Sequence, residues 1–405
     1  MSRIFFFSSH TCVGESGGGH GVEFRLYAAN KQYHLFDKEV VYVFGDRIIR
    51  EGEDIGAIVE QRDQPKQSDL RVAIKKYIPS GLRILKLKKL FKRLGNYLEE
   101  IDQQFHFTKE DVFICHDFRM AYVFVNKYPQ YPCALVYHMQ GSIYFEWHAE
   151  TAINSQIMHG YYNKLFQSIC EHVRYLCFPS RGTEESLVRS EPAFKSMVER
   201  VEKRYLYNGV KCPEVDPNML PEWIKQINQM DGYKFITVAN LNAAKAVQRI
   251  PEYLHHIKEK NVRFKWVLIG NGVYAQEVNQ AIKKYGICED VIWKQNNVKH
   301  SELMQLFSIT DFYILFHKYS IFDLSTLEAM HYGNIPILTP VGGNKEMIIR
   351  QNGIFVSDFR DVAAFMDLIE SGKVDELREF NKSIQNELFD DKAFLQRYAD
   401  LCREF

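Results

Sequence analysis

Three residues in the second half of the chain are of types that together could hold a nucleoside phosphate. Lys245 lies in a loop seven residues past an apolar run, Phe235–Val238. Glu328 sits near the start of a helical pattern in Asp323-Leu-Ser-Thr-Leu-Glu-Ala-Met-His-Tyr-Gly333, where Leu324, Leu327 and Met330 share one face. A carboxylate there can accept two hydroxyl hydrogen bonds from a ribose. The helix N-terminus beside it offers unpaired N–H groups and a partial positive charge to a diphosphate, and Lys245 adds a point charge to the same phosphates.

The first half carries a different set. Gly14-Glu-Ser-Gly-Gly-Gly-His-Gly21 follows the run Ile4–Phe7 and precedes a helix opening near Val22. A glycine-rich strand-to-helix turn lets backbone N–H groups approach an anion closely. No Gly-Lys-Ser/Thr follows, so it is not a Walker loop; position 22 is Val, so it is not the dinucleotide fingerprint either. His116-Asp117 and His138-Met-Gln-Gly141 end two further apolar runs, so both imidazoles are expected at one crevice, where they can orient a hydroxyl or shield a developing charge.

Such residues need a scaffold of parallel strands whose carboxyl ends converge. Short apolar runs recur at Ile4–Phe7, Val40–Phe44, Val112–Cys115, Ala134–His138 and Tyr175–Pro179, then at Phe235–Val238, Lys265–Ile269, Val291–Trp293, Phe312–Phe316 and Ile335–Leu338. Amphipathic segments separate them, the alternation of an α/β protein with strands covered on both faces. Between the two sets, Lys211–Pro221 holds three prolines and cannot be a helix interior or a central strand. The expected organisation is a first domain over 1–213, a linker over 214–231, a second domain over 232–389 and a terminal helix over 390–405 that could lie on either domain, including back on the first.

At 405 residues two domains are the default, and 46% apolar with 25% charged residues is a globular composition. Lys+Arg 51 against Asp+Glu 51 gives no net charge, which argues against nucleic acid as a partner. Eight scattered cysteines without a C-x-x-C pair suit a reducing cytosol and no zinc site. No signal peptide or membrane span is read, so a cytoplasmic protein is expected, free to sit peripherally on the inner face of the plasma membrane. The stretch Arg71–Arg93 bears nine Lys/Arg and no acid, interleaved with Ile84, Leu85, Leu87, Leu90 and Phe91. It can lie on an anionic membrane surface, or be a solvated helix with its apolar side in the core.

The order of these residues resembles a known family. Ser320-Ile-Phe-Asp-Leu-Ser-Thr-Leu-Glu-Ala-Met-His-Tyr-Gly-Asn-Ile-Pro-Ile-Leu-Thr-Pro-Val-Gly-Gly-Asn-Lys-Glu346 is similar to the donor-binding signature of retaining GT-B glycosyltransferases, in the large family often numbered four (glycosyl transferases group 1). Gly17-Gly18-Gly19, Cys115-His116-Asp117, His138-Met-Gln-Gly141, Asn208-Gly209-Val210 and Leu268-Ile-Gly-Asn-Gly272 look like further landmarks, so the resemblance covers nearly the whole chain. It implies two Rossmann-like doubly wound parallel-sheet domains facing a central cleft.

The resemblance also implies a site. Glu328 would bind the ribose of a nucleotide-sugar donor, expected to be a UDP-sugar, and Lys245 its diphosphate. Asn240, Gly270, Thr326 and Leu327, with Gly18 and Gly19, would complete donor binding. His138, Ser320 and Asp323 are the catalytic candidates. Ser16, Gly17, His20 and His116 would form the acceptor or phosphate loop. No metal is expected, because a helix dipole and cationic side chains take its place. The acceptor would be a glycan or a lipid-linked glycan of cell-surface polysaccharide or lipopolysaccharide synthesis.

Four positions depart from the family pattern: Ser320 stands where it has a glutamate, Asp323 where it has a glycine, and Ala239-Asn240 where it has Gly-Arg. These departures keep a non-catalytic subunit that binds glycan or a partner enzyme open as an alternative. A nucleotide-sugar epimerase on the same scaffold is another.

Overall fold

The run Arg3-Ile-Phe-Phe-Phe7 has no polar side chain after its first residue, so as a strand it must be covered on both faces. The computed structural model, which describes residues 2–12, 21–56, 79–148, 156–296 and 298–405, places it inside a seven-stranded sheet, with strands on both sides. The chain divides into two compact units, Met1–Tyr207 with Leu395–Phe405, and Asn208–Phe394.

In the first unit the strands are β1 (Arg3–Phe7), β2 (Glu39–Val43), β3 (Ile48–Arg50), β4 (Val112–Cys115), β5 (Cys133–Val136), β6 (Tyr175–Phe178) and β7 (Glu202–Tyr205), in the order β3-β2-β1-β4-β5-β6-β7. Only β3 pairs antiparallel, as a hairpin on β2. The helices are α1 (Val22–Tyr33), α2 (Ser80–Phe105), α3 (Phe118–Lys127), α4 (Ile143–His148), α5 (Gln156–Cys170), α6 (Arg181–Ser190) and α7 (Lys195–Arg200). Phe5, Phe7 and Phe113 stack across β1 and β4, and Phe107 and Phe124 meet them from one side. Each such ring removed from water contributes about 1.5–3 kcal/mol.

The second unit repeats the class. Its strands are β8 (Tyr233–Val238), β9 (Phe264–Ile269), β10 (Val291–Lys294), β11 (Phe312–Leu315), β12 (Ile335–Leu338) and β13 (Ile354–Phe355), all parallel, in the order β10-β9-β8-β11-β12-β13. Its helices are α8 (Glu222–Gln229), α9 (Ile250–Glu259), α10 (Ala275–Lys284), α11 (His300–Ile309), α12 (Leu324–His331), α13 (Asn344–Met347), α14 (Ala363–Glu370) and α15 (Val374–Leu388); α16 (Asp391–Arg403) follows, its residues from Leu395 onward belonging to the first unit. The buried Trp266 on β9 donates its indole N–H to Thr237 Oγ1 on β8 at 3.0 Å. That hydroxyl donates in turn to Ile314 O on β11 at 2.6 Å, tying the three central strands together.

The structure differs from the sequence reading at three places. The stretch expected as a linker, 214–231, belongs to the second unit and carries α8, whose Ile224 and Ile227 are in its core. Strands β3, β7 and β13 are edge or near-edge strands without the apolar runs that mark buried ones. His138 lies beyond β5 instead of within it.

Candidate functional site

In both sheets the strand order reverses direction once: between β1 and β4, and between β8 and β11. Open parallel sheets bind ligands outside the carboxyl ends of the strands at this reversal. The candidate residues are found at both points.

In the second unit, Asn242 Oδ1 accepts the backbone N–H groups of Ala244 and Lys245, each at 3.0 Å, which fixes the loop after β8. The backbone N–H of Lys318, just past β11, donates to Ala244 O at 2.8 Å. The two loops are thereby joined, and the Lys245 ammonium reaches Asp323 Oδ1 at 2.5 Å and His317 Nε2 at 3.0 Å. Asp323 is the N-cap of α12: its Oδ2 accepts from Thr326 N at 3.1 Å, Thr326 Oγ1 at 2.9 Å and Tyr313 Oη at 3.1 Å. Burial would raise the Asp323 pKa, but the adjacent Lys245 charge, with the His317 ring beside it, holds it well below the usual carboxylate range. His317 is buried, which lowers its pKa; the neighbouring Lys245 lowers it further, against the opposing pull of Asp323. Thr339 Oγ1, after β12, donates to His317 O at 2.7 Å and fixes that residue's backbone. The result is one ammonium, one carboxylate and one neutral imidazole at the strand reversal.

This corrects the expectation for Asp323. Both of its oxygens are committed to Lys245, Tyr313 and Thr326, so it is not a carboxylate free to reach a sugar. Thr326 and Leu327 are also corrected: both side chains are fully buried, and the Thr326 hydroxyl is bonded to Asp323, so only their backbone could meet a ligand. Ser320 is buried, 8% exposed, and its hydroxyl has no hydrogen-bond partner among the described residues. Its backbone is clamped by the glycine pair, since Gly343 N donates to Ser320 O at 3.1 Å and a Cβ on Gly342 would stand 1.9 Å from that same oxygen.

Gly270 has a similar packing role. Its φ is +134° and an added Cβ would meet Ala239 O at 1.9 Å, so glycine is what allows the loops after β8 and β9 to close on each other. Asn240, beside that contact, is exposed. Glu328 is half-buried in α12, with Oε1 3.2 Å from the exposed His300 imidazole.

In the first unit the ring centroids of His116 and His138 lie 5.9 Å apart, edge to face, so adjacent strand ends do bring the two imidazoles together. His116 is buried, stacked on Phe6 and edge-on to Tyr398 of α16. It is part of the interior more than of an open loop. Asp117 N-caps α3, accepting from Arg119 N at 2.9 Å and Met120 N at 3.1 Å, and its other oxygen accepts Ser9 N at 2.6 Å from the segment after β1. Ser16, Gly17, Gly18, Gly19 and His20 lie outside the described residues.

Two residues of these sites escaped the sequence reading. His317 immediately follows the apolar run Phe312–Phe316, much as His116 follows Val112–Cys115. Glu23, the second residue of α1, is an acid in an otherwise apolar helix start and is buried. Burial raises its pKa well above the ordinary value, and Asp117 adds to this. Burial, His138 and Arg25 lower the pKa of His116. Glu23 Oε1 lies 3.5 Å from His116 Nδ1, and both shifts favour the neutral forms. Among the described residues no three His, Cys, Asp or Glu side chains converge as a metal cage.

Comparisons with known proteins bear on the same stretch. Residues 221–387, which hold Lys245, His317, Ser320, Asp323 and Glu328, match the family model "Glycosyl transferases group 1". An uncharacterized glycosyltransferase of Methanocaldococcus jannaschii is 26% identical over 161 residues, 38% of this chain; the match spans 40% of that relative's length. Sucrose-phosphate synthase from Thermosynechococcus elongatus superposes with a TM-score of 0.62 at 16% identity, over 100% of this chain and 99% of its own. HepE of Anabaena, solved in complex with UDP, gives 0.60 at 16% over 100% of both chains. An E. coli trehalose-6-phosphate protein bound with UDP-2-fluoro glucose gives 0.65 at 11%, over 100% of this chain and 99% of its own. The fold is GT-B. Two Rossmann-like parallel-sheet units, each with its strand reversal, are what the resemblance in the sequence implied.

Proposed function

We propose that this chain is a glycosyltransferase that takes a nucleotide sugar, with a UDP-sugar as donor, and transfers the sugar to a glycan or lipid-linked glycan with retention. The observation that carries the reading is that Lys245 meets Asp323, the N-cap of the helix α12 on which Glu328 lies, within the stretch that matches the group 1 model. An ammonium and a helix N-terminus suit a diphosphate, and a half-buried carboxylate suits ribose hydroxyls. HepE is solved with UDP and the E. coli protein with UDP-2-fluoro glucose, which supports uracil as the base. Ser320 is the residue proposed beside the transferred sugar, and the helix dipole and Lys245 would serve the leaving diphosphate without a metal ion.

Titration calorimetry of the whole chain with UDP tests this. Binding that Lys245→Gln weakens tenfold or more supports the reading, and no measurable binding of any nucleoside diphosphate or nucleotide sugar removes it. A second reading, a GT-B subunit that binds nucleotide or glycan without turnover, is favoured by Ser320, which supplies no carboxylate, and by Lys245, whose charge Asp323 already matches. UDP binding with no sugar transfer or donor hydrolysis in any assay would select it.

A further inference from the structure

We infer that the outward face of α2 is a docking surface for an anionic lipid bilayer. The helix is 26 residues long and has two distinct sides. Inward, Phe91, Leu94, Leu98, Ile101 and Phe105 are in the core of the first unit, with Ile84, Leu87 and Leu90 packed against it. These residues satisfy the helix's need for a buried stripe. Outward, Leu82, Leu85, Lys86, Lys89, Lys92 and Arg93 recur at helical spacing and form a second stripe, every member of it exposed.

Two properties of that stripe are not those of an ordinary water-facing helix. Its cations are uncompensated: α2 has no acid before Glu99, and Lys86, Lys89, Lys92 and Arg93 form no ion pair among the described residues, in a chain whose net charge is zero. Its first turns also carry leucines in water, Leu82 at 52% and Leu85 at 61% exposure, although the inward face is already apolar. A bilayer surface takes both features at once. Headgroup phosphates meet the ammonium and guanidinium groups, and the two leucines enter the boundary between headgroups and acyl chains. Nucleic acid would answer the charge but not the leucines, and a second copy of this neutral chain would answer neither specifically. The stretch Arg71–Arg93 of the sequence reading thus narrows to Leu82–Arg93, since residues 71–78 lie outside the described ones.

The experiment is flotation of the full chain with phosphatidylcholine vesicles, with and without phosphatidylglycerol at roughly 30% of the lipid. The protein should float only with the anionic vesicles, and less as salt is raised. Each cation near such a surface is worth about a fivefold factor in partitioning. Replacing Lys86, Lys89, Lys92 and Arg93 together with Gln should therefore lower partitioning by about a hundredfold or more. Leu82→Ser with Leu85→Ser should lower it about tenfold while leaving the salt dependence in place. All six positions are exposed, and an unchanged circular dichroism melt would establish that the variants fold. Equal recovery with and without phosphatidylglycerol, or undiminished flotation of the Gln variant, overturns the assignment. So does flotation that the two serines leave unchanged, which would make the face a generic polyanion surface.

Discussion

The ammonium of Lys245 and the carboxylate of Asp323 meet at 2.5 Å, and the aspartate that makes this pair is also the N-cap of the helix carrying Glu328. One residue therefore does two jobs that substitution can separate. Asparagine caps a helix about as well as aspartate, so Asp323→Asn should keep the fold within about 1 kcal/mol while releasing Lys245 from its partner. Asp323→Ala loses the cap and leaves Tyr313, Thr326 and Lys245 without their acceptor, at a cost of about 2–4 kcal/mol. The freed ammonium of Asp323→Asn should bind UDP several-fold more tightly than the native chain. Chemical denaturation and calorimetry on the two variants check both halves; weaker UDP binding by Asp323→Asn would mean that the carboxylate, not the lysine, faces the ligand.

Glu328 lies on α12 with one carboxylate oxygen 3.2 Å from the exposed His300 imidazole. Its removal costs the helix little. If it accepts ribose hydroxyls, Glu328→Ala should lose about 1.5–3 kcal/mol of binding energy, a ten- to hundredfold weaker UDP complex with an unchanged melting temperature. Comparison of UDP with inorganic pyrophosphate sharpens the test, since pyrophosphate has no ribose and its binding should be insensitive to the change.

Much of this was legible in the chain because buried parallel strands have continuous apolar runs. All ten strands read from such runs are strands in the structure, within a residue or two at their ends, while β3, β7 and β13, short and only partly buried, had no such signal. The nearness of His116 and His138 was legible for a related reason: both follow strand ends, and position along the chain fixes the end of the sheet they reach. What the pattern could not supply was pairing. Nothing in the spacing of Asp323 and Lys245, 78 residues apart, says that they touch. The carboxylate therefore read as a free group three positions past Ser320, when folding had committed it to the lysine and the helix cap. Glu23 and His317 were missed likewise, because each is single in its segment and gains its meaning only from a neighbour brought in by the fold.

The glycines that close loops should tolerate no side chain. Gly342 has φ +49°, and a Cβ there would lie 1.9 Å from Ser320 O; at Gly270, with φ +134°, the clash is with Ala239 O at the same distance. Backbone must move in either case, so Gly342→Ala and Gly270→Ala should each destabilise by about 2–4 kcal/mol. Gly286, also at positive φ but with nothing within 4 Å of its Cβ, serves as the control, and Gly286→Ala should cost about 1 kcal/mol. Similar losses in all three would mean that φ alone, and not the close approach of the loops, sets the penalty.

The buried acid Glu23 gives a pH signature whose sign follows from its environment. Burial and the nearby Asp117 raise its folded pKa well above the ordinary value of 4.5, so folding favours its protonated form. Below the unfolded pKa both states hold the proton, and the residue contributes nothing to the pH dependence. As pH rises past that point the unfolded chain ionises first, and stability falls until the folded pKa is reached. Glu23→Gln removes this titration while keeping the shape and a polar end for Ser8 and His116. The variant should therefore melt higher than the native chain at pH 7, with the gap closing as pH is lowered toward 4.5. His116, whose folded pKa is depressed by burial, titrates the other way and destabilises the fold as pH drops below its ordinary 6.5, but it does so in both proteins, so the difference between them isolates Glu23. Thermal melts of both chains from neutral to mildly acidic pH decide it: a gap that widens on acidification would mean that Glu23 is ionised in the folded state and paired with a protonated His116.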